Sequence, residues 1–489
     1  MGIKGKTFDN GKHTDINKIT SVYFIGAGGI GMSALIRYFL AKGKKVAGYD
    51  RTPSALTEQL VEEGAAIHYT EDVTLIPDDF RDKNKTCVVY TPAVPSSHEE
   101  LVYFREQGFT ILKRSQILGL ITTAARSLCV AGTHGKTTTS SMTAHLLKQS
   151  HVDCNAFLGG ILKNYQSNLL LSNHNDIVVI EADEYDRSFH FLTPYMAVVT
   201  SADPDHLDIY GTPQGYRESF EKFTSLIRTG GALIMKKGIE LTPSLQPDVR
   251  LFTYSITDES ADFYATNIRI GNGEIFFDFV APGDCVPDTQ TGGAVRESIL
   301  IPDVQLGVPV RTNIENGVAA MALALLNGVT PDEIRAAMKT FAGAQRRFDF
   351  QVKTDRLVYI DDYAHHPQEL ISCIQSVKEL YKGRRVTGVF QPHLYTRTRD
   401  FANEFASALS LLDRLILLDI YPAREEPIPG VTSEMVLNKA TIRDKMLCKK
   451  EDLVARLEKE TIDVLVTFGA GDIDRLVEPV RTMLNLKKA

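Results

Sequence analysis

The stretch from Ser127 to the helix after Thr138 constrains this chain more than any other. An apolar run of buried-strand length, Ser127 to Ala131, enters Gly132-Thr133-His134-Gly135-Lys136-Thr137-Thr138 and then a helical period. A helix that starts straight after a glycine turn has unpaired backbone N–H groups at its N-terminus, and these cradle phosphate. Lys136 adds a point charge at the terminal phosphates, and the Thr137 hydroxyl can hold Mg²⁺. The spacing departs from the standard phosphate loop: Val130 stands five positions before Gly135, and the nearest glycine is three before. A plain glycine turn with a solvated lysine is the alternative, but it leaves the threonine run unexplained.

A second turn of this kind lies upstream. Gly26-Ala27-Gly28-Gly29-Ile30-Gly31 follows the apolar strand Ser21 to Ile25 and opens a helical pattern from Met32 to Ala41, with Asp50 closing the next strand, Val46 to Tyr49. Glycines there let a diphosphate approach the backbone, and an acid at the next strand end accepts from a ribose hydroxyl. The pattern does not separate dinucleotides from other nucleotide diphosphates, nor from a turn needed only for packing.

Beyond the phosphate loop, Glu181-Ala182-Asp183-Glu184 follows the strand Ile177 to Ile180, and Asp203-Pro204-Asp205-His206-Leu207-Asp208 follows the strand Met196 to Thr200. Open α/β sheets place ligands beyond the carboxyl ends of their strands, which makes Glu181 and His206 candidate metal ligands, with helix caps or solvated charges as the alternative. Further on, Asp361-Asp362-Tyr363-Ala364-His365-His366 and His393-Leu394-Tyr395-Thr396-Arg397 end two adjacent predicted strands. Clustered His and Arg suit a small carboxylate. Zinc is disfavoured because neither HExxH nor a cysteine partner accompanies these histidines.

Length and pattern agree on three α/β domains, since 489 residues at about 150 per domain give about three. The reading is a polar tail over 1–20, a Rossmann-like domain over 21–122, a central P-loop ATPase-type domain over 123–342 and a C-terminal Rossmann-like domain over 343–489. Between about Gly230 and Pro309 the pattern alternates β-branched and aromatic residues, with Gly271-Asn272-Gly273 as a hairpin turn, and predicts an antiparallel addition to the central domain. A net charge of −7, with 54 basic against 61 acidic residues, argues against nucleic acid as a partner. Six cysteines with no CxxC spacing fit a reducing compartment. No signal-like or membrane-spanning apolar stretch is evident, so the expectation is a cytoplasmic protein without membrane insertion.

Taken in order, GAGGIGMSAL, AGTHGKTTTSSM, EADEYDRSF, DHLDIYG, NIENGVAA, RRFD, DDYAHHP, QPHLYTRTRDF and GAGDI make the chain similar to the Mur ligases of peptidoglycan synthesis, from about Ser21 onwards. The resemblance implies an ATP- and Mg²⁺-dependent ligase acting on the small molecules UDP-N-acetylmuramate and L-alanine, as a monomer or homodimer. It implies that Gly26, Gly28, Gly29, Gly31, Met32, Ser33 and Asp50 hold the UDP-sugar. ATP would fall to Gly132, Thr133, His134, Gly135, Lys136, Thr137, Thr138, Asn313, Asn316, Arg347 and Asp362, and the metal to Thr137, Glu181 and His206. Lys136, Glu181, His206 and Arg347 would serve the chemistry, and His365, His393 and Arg397 the amino acid. Leu394 departs from the family, which often has Arg there, and so removes one carboxylate contact. Two alternatives stay open: a recycling ligase that adds a preformed murein tripeptide to the same UDP-sugar, and, from GxGxxG and Asp50 alone, a nicotinamide-dependent oxidoreductase.

Overall fold

A computed structural model describes residues 19–283, 297–423 and 425–486. Almost all of the predicted polar tail, and Cys285, therefore lie outside the described residues. Three sheets organise the described residues. The first is wholly parallel, in the order Ala66–His68, Lys45–Tyr49, Ser21–Ile25, Thr86–Tyr90, Thr110–Lys113. Its strands are near-continuous apolar runs because helices cover both faces, and Val22, Tyr23, Phe24 and Ile25 are fully buried.

The second sheet has ten strands. Its centre is parallel: Ala232–Lys236, Met196–Val199, Arg126–Ala131, Ile177–Glu181 and Asn155–Leu162 are neighbours in that order. Ser167–Leu170 closes one edge in antiparallel fashion. On the other side the expected antiparallel addition starts later than predicted, because Arg250–Ser255 still pairs in parallel with Ala232–Lys236. Beyond it, Phe263–Gly271 and Glu274–Ala281 are adjacent strands joined by Asn272 and Gly273, both at positive φ (53° and 74°). A two-residue connection of that kind makes a hairpin.

The third sheet runs Asp349–Lys353, Val358–Asp362, Val464–Phe468, Val386–Phe390, Arg414–Leu417, Lys445–Leu447, parallel throughout except at its first pair. The chain groups into two compact units. One holds the described residues of Met1–Thr266, Asp278–Pro302 and Glu315–Phe341, and so contains the first sheet and the centre of the second. The other gathers Asn267–Phe277, Asp303–Ile314 and the described residues of Ala342–Ala489.

In the first unit one apolar cluster runs from Phe24 and Phe39 to Phe189, Tyr216 and Phe223. Phe189 stacks on Phe223 with ring centres 4.9 Å apart. Burying each such ring contributes about 2 kcal/mol, and together they fix the segment that carries the acids after Ile177–Glu181. The second unit packs Tyr359, Val389, Ile416, Leu465 and Ile473 beneath its sheet. Among the described residues no helix is long and apolar enough to cross a membrane.

Candidate functional site

The phosphate-loop candidate is built from a buried strand, Arg126–Ala131, and a helix, Lys136–Lys148. Gly132 and Gly135 turn the chain at φ 143° and 81°, values that favour glycine. Space demands glycine too, since a Cβ at Gly132 would lie 2.0 Å from Thr200 Oγ1 and one at Gly135 2.6 Å from Asn316 Oδ1. No side chain caps the helix, which leaves its first N–H groups facing the turn.

The turn is braced from Thr200 to Asp203. Thr133 Oγ1 donates to the Asp203 carbonyl at 2.7 Å, and the His134 N–H donates to Ser201 Oγ at 2.9 Å. Lys136 folds back over it: Nζ donates to the Gly132 carbonyl at 2.6 Å and lies 2.7 Å from a Glu184 carboxylate oxygen. Burial pushes the Glu184 carboxyl above the usual range, and the Lys136 ammonium pulls it back. Thr137 and Thr138 follow, half-buried in the first turn of the helix, and His134 is exposed. Asn316 flanks the same loop, its Oδ1 accepting from Thr139 Oγ1 at 3.2 Å.

Glu181 ends its strand with its carboxylate against Gly159, where a Cβ would lie 2.3 Å from Oε2. His206, at φ 51°, caps the short helix Leu207–Tyr210 and packs edge-on against Tyr185, ring centres 5.2 Å apart. Among the described residues no group of three or more His, Cys, Asp or Glu could hold a metal unaided. Mg²⁺ at a phosphate site takes one or two protein oxygens and fills its shell with phosphates and water. The Thr137 hydroxyl and the Glu181 carboxylate are hard donors of that kind; His206 is the softer member of the set.

At the upstream loop, the Asp50 carboxylate accepts from the Gly28 N–H at 2.6 Å and from the Thr52 N–H at 3.0 Å, so it shapes the loop's own backbone. Gly29 is exposed, and Gly26 takes φ 88°. Met32 and Ser33 are buried, the latter accepting from Asn168 Nδ2 at 3.0 Å. Their side chains are turned into the core and fix the backbone that follows the loop. Arg114, which the sequence did not single out, packs over this loop: a Cβ at Gly31 would lie 2.1 Å from its Nη1. Its other nitrogen reaches Asp183 Oδ2 at 3.3 Å, which ties the loop to the acidic segment.

In the second unit, the strand Val358–Asp362 delivers two acids with different duties. Asp361 is fully buried and pairs with Arg346 at 3.0 Å, a structural contact. Asp362 accepts from the N–H groups of Phe348 and Ala364 at 2.7 and 2.8 Å. Burial pushes its carboxyl up to about 6, against the pull of the Arg347 guanidinium. Arg347 is exposed and lies over the Tyr363 ring, 5.4 Å from its centre.

His365 follows Val358–Asp362 and His393 follows Val386–Phe390, which are not neighbours as the sequence suggested, because Val464–Phe468 inserts between them; the rings still come within 6.2 Å of each other, centre to centre, and His393 stacks on Tyr421. Burial holds His365 below the ordinary imidazole range, and the nearby Arg397 and Arg347 charges add to this, against the pull of Glu369. Leu394, the family departure, sits at φ 72°, pinned by its N–H to the Tyr421 carbonyl at 3.0 Å. Asn313 spends its amide on the Val308 carbonyl at 3.1 Å. The structure thus brings Lys136, Asn316 and the threonines together in the first unit. In the second it brings together Arg347, Asp362, His365, His393 and Arg397.

Known proteins match the chain along nearly its whole length. Three consecutive segments match family models: 21–126 the Mur ligase family, catalytic domain; 130–324 the Mur ligase middle domain; 346–471 the Mur ligase, glutamate ligase domain. The UDP-N-acetylmuramate--L-alanine ligase of Parabacteroides distasonis is 67% identical over 470 residues, covering 96% of this chain and 98% of its own. The Flavobacterium johnsoniae protein of the same name is 46% identical over 96% of this chain and 99% of its own. Among solved structures, the UDP-N-acetylmuramate-alanine ligase of Thermotoga maritima superposes with a TM-score of 0.77 at 25% identity, covering 96% of this chain and 99% of that one. Matched nearly end to end by models and relatives alike, the chain belongs to the Mur ligase family.

Proposed function

We propose that this protein joins L-alanine to the lactyl carboxylate of UDP-N-acetylmuramate, with ATP cleaved to ADP and phosphate, in the synthesis of peptidoglycan precursors. The reading is carried by one observation: a glycine turn at an uncapped helix N-terminus, with Lys136 folded over it, in a chain 67% identical over nearly its whole length to a ligase of that name. We place the protein in the cytoplasm and take 21–122, 123–342 and 343–489 as its UDP-sugar, ATP and amino-acid domains.

A carboxylate is a poor electrophile, so an amine does not displace its oxygen until that oxygen becomes a leaving group. In this reading the substrate carboxylate attacks the γ-phosphorus of ATP, giving an acyl phosphate and ADP. The amine of L-alanine then attacks the acyl carbon, and phosphate leaves. The protein's share is positioning and charge neutralisation. Gly132 to Thr138 offer the N–H cradle, and Lys136 offsets the repulsion between two anions. Asn313 and Asn316 serve the adenine end, and Arg347 and Asp362 are assigned to the nucleotide. Thr137, Glu181 and His206 would hold a Mg²⁺, which supplies further charge neutralisation at the phosphates when bound. Gly26, Gly28, Gly29 and Gly31 cradle the sugar's diphosphate, with Asp50 holding that loop, and His365, His393 and Arg397 orient the amino acid.

Isotope placed in the muramyl carboxyl oxygens should appear in the released phosphate; its absence there would end this reading. Offering L-alanine and the preformed tripeptide separately distinguishes the two ligase reactions, with phosphate release expected from L-alanine. Lys136→Ala should lower ligation by at least about a thousandfold while UDP-sugar binding, measured by calorimetry, is retained.

A further inference from the structure

Lys136 has no proton to spare. An ammonium carries three N–H donors. Here the Gly132 carbonyl stands at 2.6 Å from Nζ, the Thr133 carbonyl at 3.3 Å, and the two Glu184 carboxylate oxygens at 2.8 and 2.7 Å. Both partners of the ion pair are out of water, their side chains 14% and 3% exposed. A phosphate that uses Lys136 must therefore displace one of these acceptors.

The two carbonyls belong to the loop itself, which is pinned through Thr133 and His134 to Asp203 and Ser201. Glu184 belongs to a different segment. That segment continues through Asp186 and Arg187 at φ 47° and 61°, a costly backbone for residues other than glycine that lasts only while its contacts hold it. One such contact is the Tyr210 hydroxyl, which donates to the Glu184 carbonyl. Glu184 is the acceptor that can be exchanged like for like, one anion for another.

We propose that Glu184 is a positioning residue that stands in for phosphate: with no nucleotide bound it holds Lys136 over the loop, and it yields the ammonium when a polyphosphate enters. The inference rests on the loop being the ATP site, as proposed above. Its advantage follows from electrostatics, since a buried ammonium without a counter-ion would destabilise the empty loop. Its cost is affinity, because every incoming phosphate must first compete with a carboxylate already in place.

The test uses the full-length protein, with inorganic pyrophosphate and ADP as probes in calorimetry, without added metal. Glu184→Gln should tighten pyrophosphate and ADP binding by roughly five- to tenfold, since a neutral amide holds an ammonium less strongly than a carboxylate does. It should lower the KM for ATP by a similar factor. A merely structural role would move these affinities the other way. Glu184→Asp, which keeps the charge but shortens the reach, should fall between wild type and Glu184→Gln, and it carries the test should the glutamine variant fail to fold. In a Lys136→Met background the Glu184→Gln change should leave the affinities unaltered. Equal or weaker pyrophosphate binding by folded Glu184 variants overturns the proposal while leaving the ATP reading intact. Failure of wild type and variants alike to bind either probe overturns both.

Discussion

Asp362 carries its charge into an enclosed corner where two backbone N–H groups and Arg347 offset only part of the loss of water. Its carboxyl lies at about 6 in the folded protein against 3.8 for the free group. Between those values the folded state keeps a proton that the unfolded chain has lost, so this residue's contribution to stability falls as pH rises through that window. Asp362→Asn removes the dependence. Relative to wild type, the variant's thermal midpoint should move up between pH 4 and 7, by up to about 3 kcal/mol or roughly 5 °C, while ligation is lost. A difference that stays constant with pH, measured by scanning calorimetry at both values, would show that the carboxyl titrates normally. The sequence named Asp362 but could not separate it from Asp361, whose partner Arg346 stands 15 residues away and is visible only in the fold. Nor could it find the pairing of Arg114 with Asp183, 69 residues apart, because a contact of that span leaves no local pattern.

At the level of elements, legibility follows burial. Ser21–Ile25, Thr86–Tyr90, Val386–Phe390 and Val464–Phe468 lie where the apolar runs place them, since a strand covered on both faces must be apolar at every position. Ser167–Leu170 and Lys445–Leu447 were silent: each is short and stands at a sheet edge, where fewer positions need be apolar. Asn155–Leu162 carries Gly159 and Gly160, which have no side chains to sustain a strand pattern, although Gly159 is what leaves room for the Glu181 carboxylate. Helix starts are more explicit. Pro331–Thr340 opens on Thr330, whose hydroxyl accepts from the Glu333 N–H while the Glu333 side chain returns to the Thr330 N–H, with Pro331 in the first turn. Thr330→Ala should therefore cost about 1 kcal/mol in unfolding free energy and leave turnover at its wild-type value, because the cap touches no candidate ligand group. A loss of activity with unchanged stability would contradict that.

For the whole molecule, the proposed function assigns the UDP-sugar to the first unit and the amino acid to the second, and this makes the division testable. Motifs were legible where they ended predicted strands, because α/β sheets expose side chains at their carboxyl ends, and His365, His393 and the Asp361-Asp362 pair all stand at such ends in the third sheet. What the sequence could not give was the pairing at the site: Lys136 held by Glu184, 48 residues away, and Asp50 spent on Gly28. If the third sheet serves the amino acid, His393→Ala should raise the KM for L-alanine by about tenfold, the loss of one hydrogen bond to a charged group. The dissociation constants of ADP and of the UDP-sugar should stay within about twofold of wild type, since no contact assigned to either ligand involves His393. His393 stacks on Tyr421, and Leu394 beside it is pinned to the same residue, so local packing also changes. His393→Gln, which retains an amide donor, separates the two effects: it should recover part of the L-alanine KM, whereas a packing defect would leave both variants equally impaired. Weakened ADP binding in both variants, with the KM for L-alanine unmoved, would place His393 at the nucleotide and reverse the assignment of the third sheet.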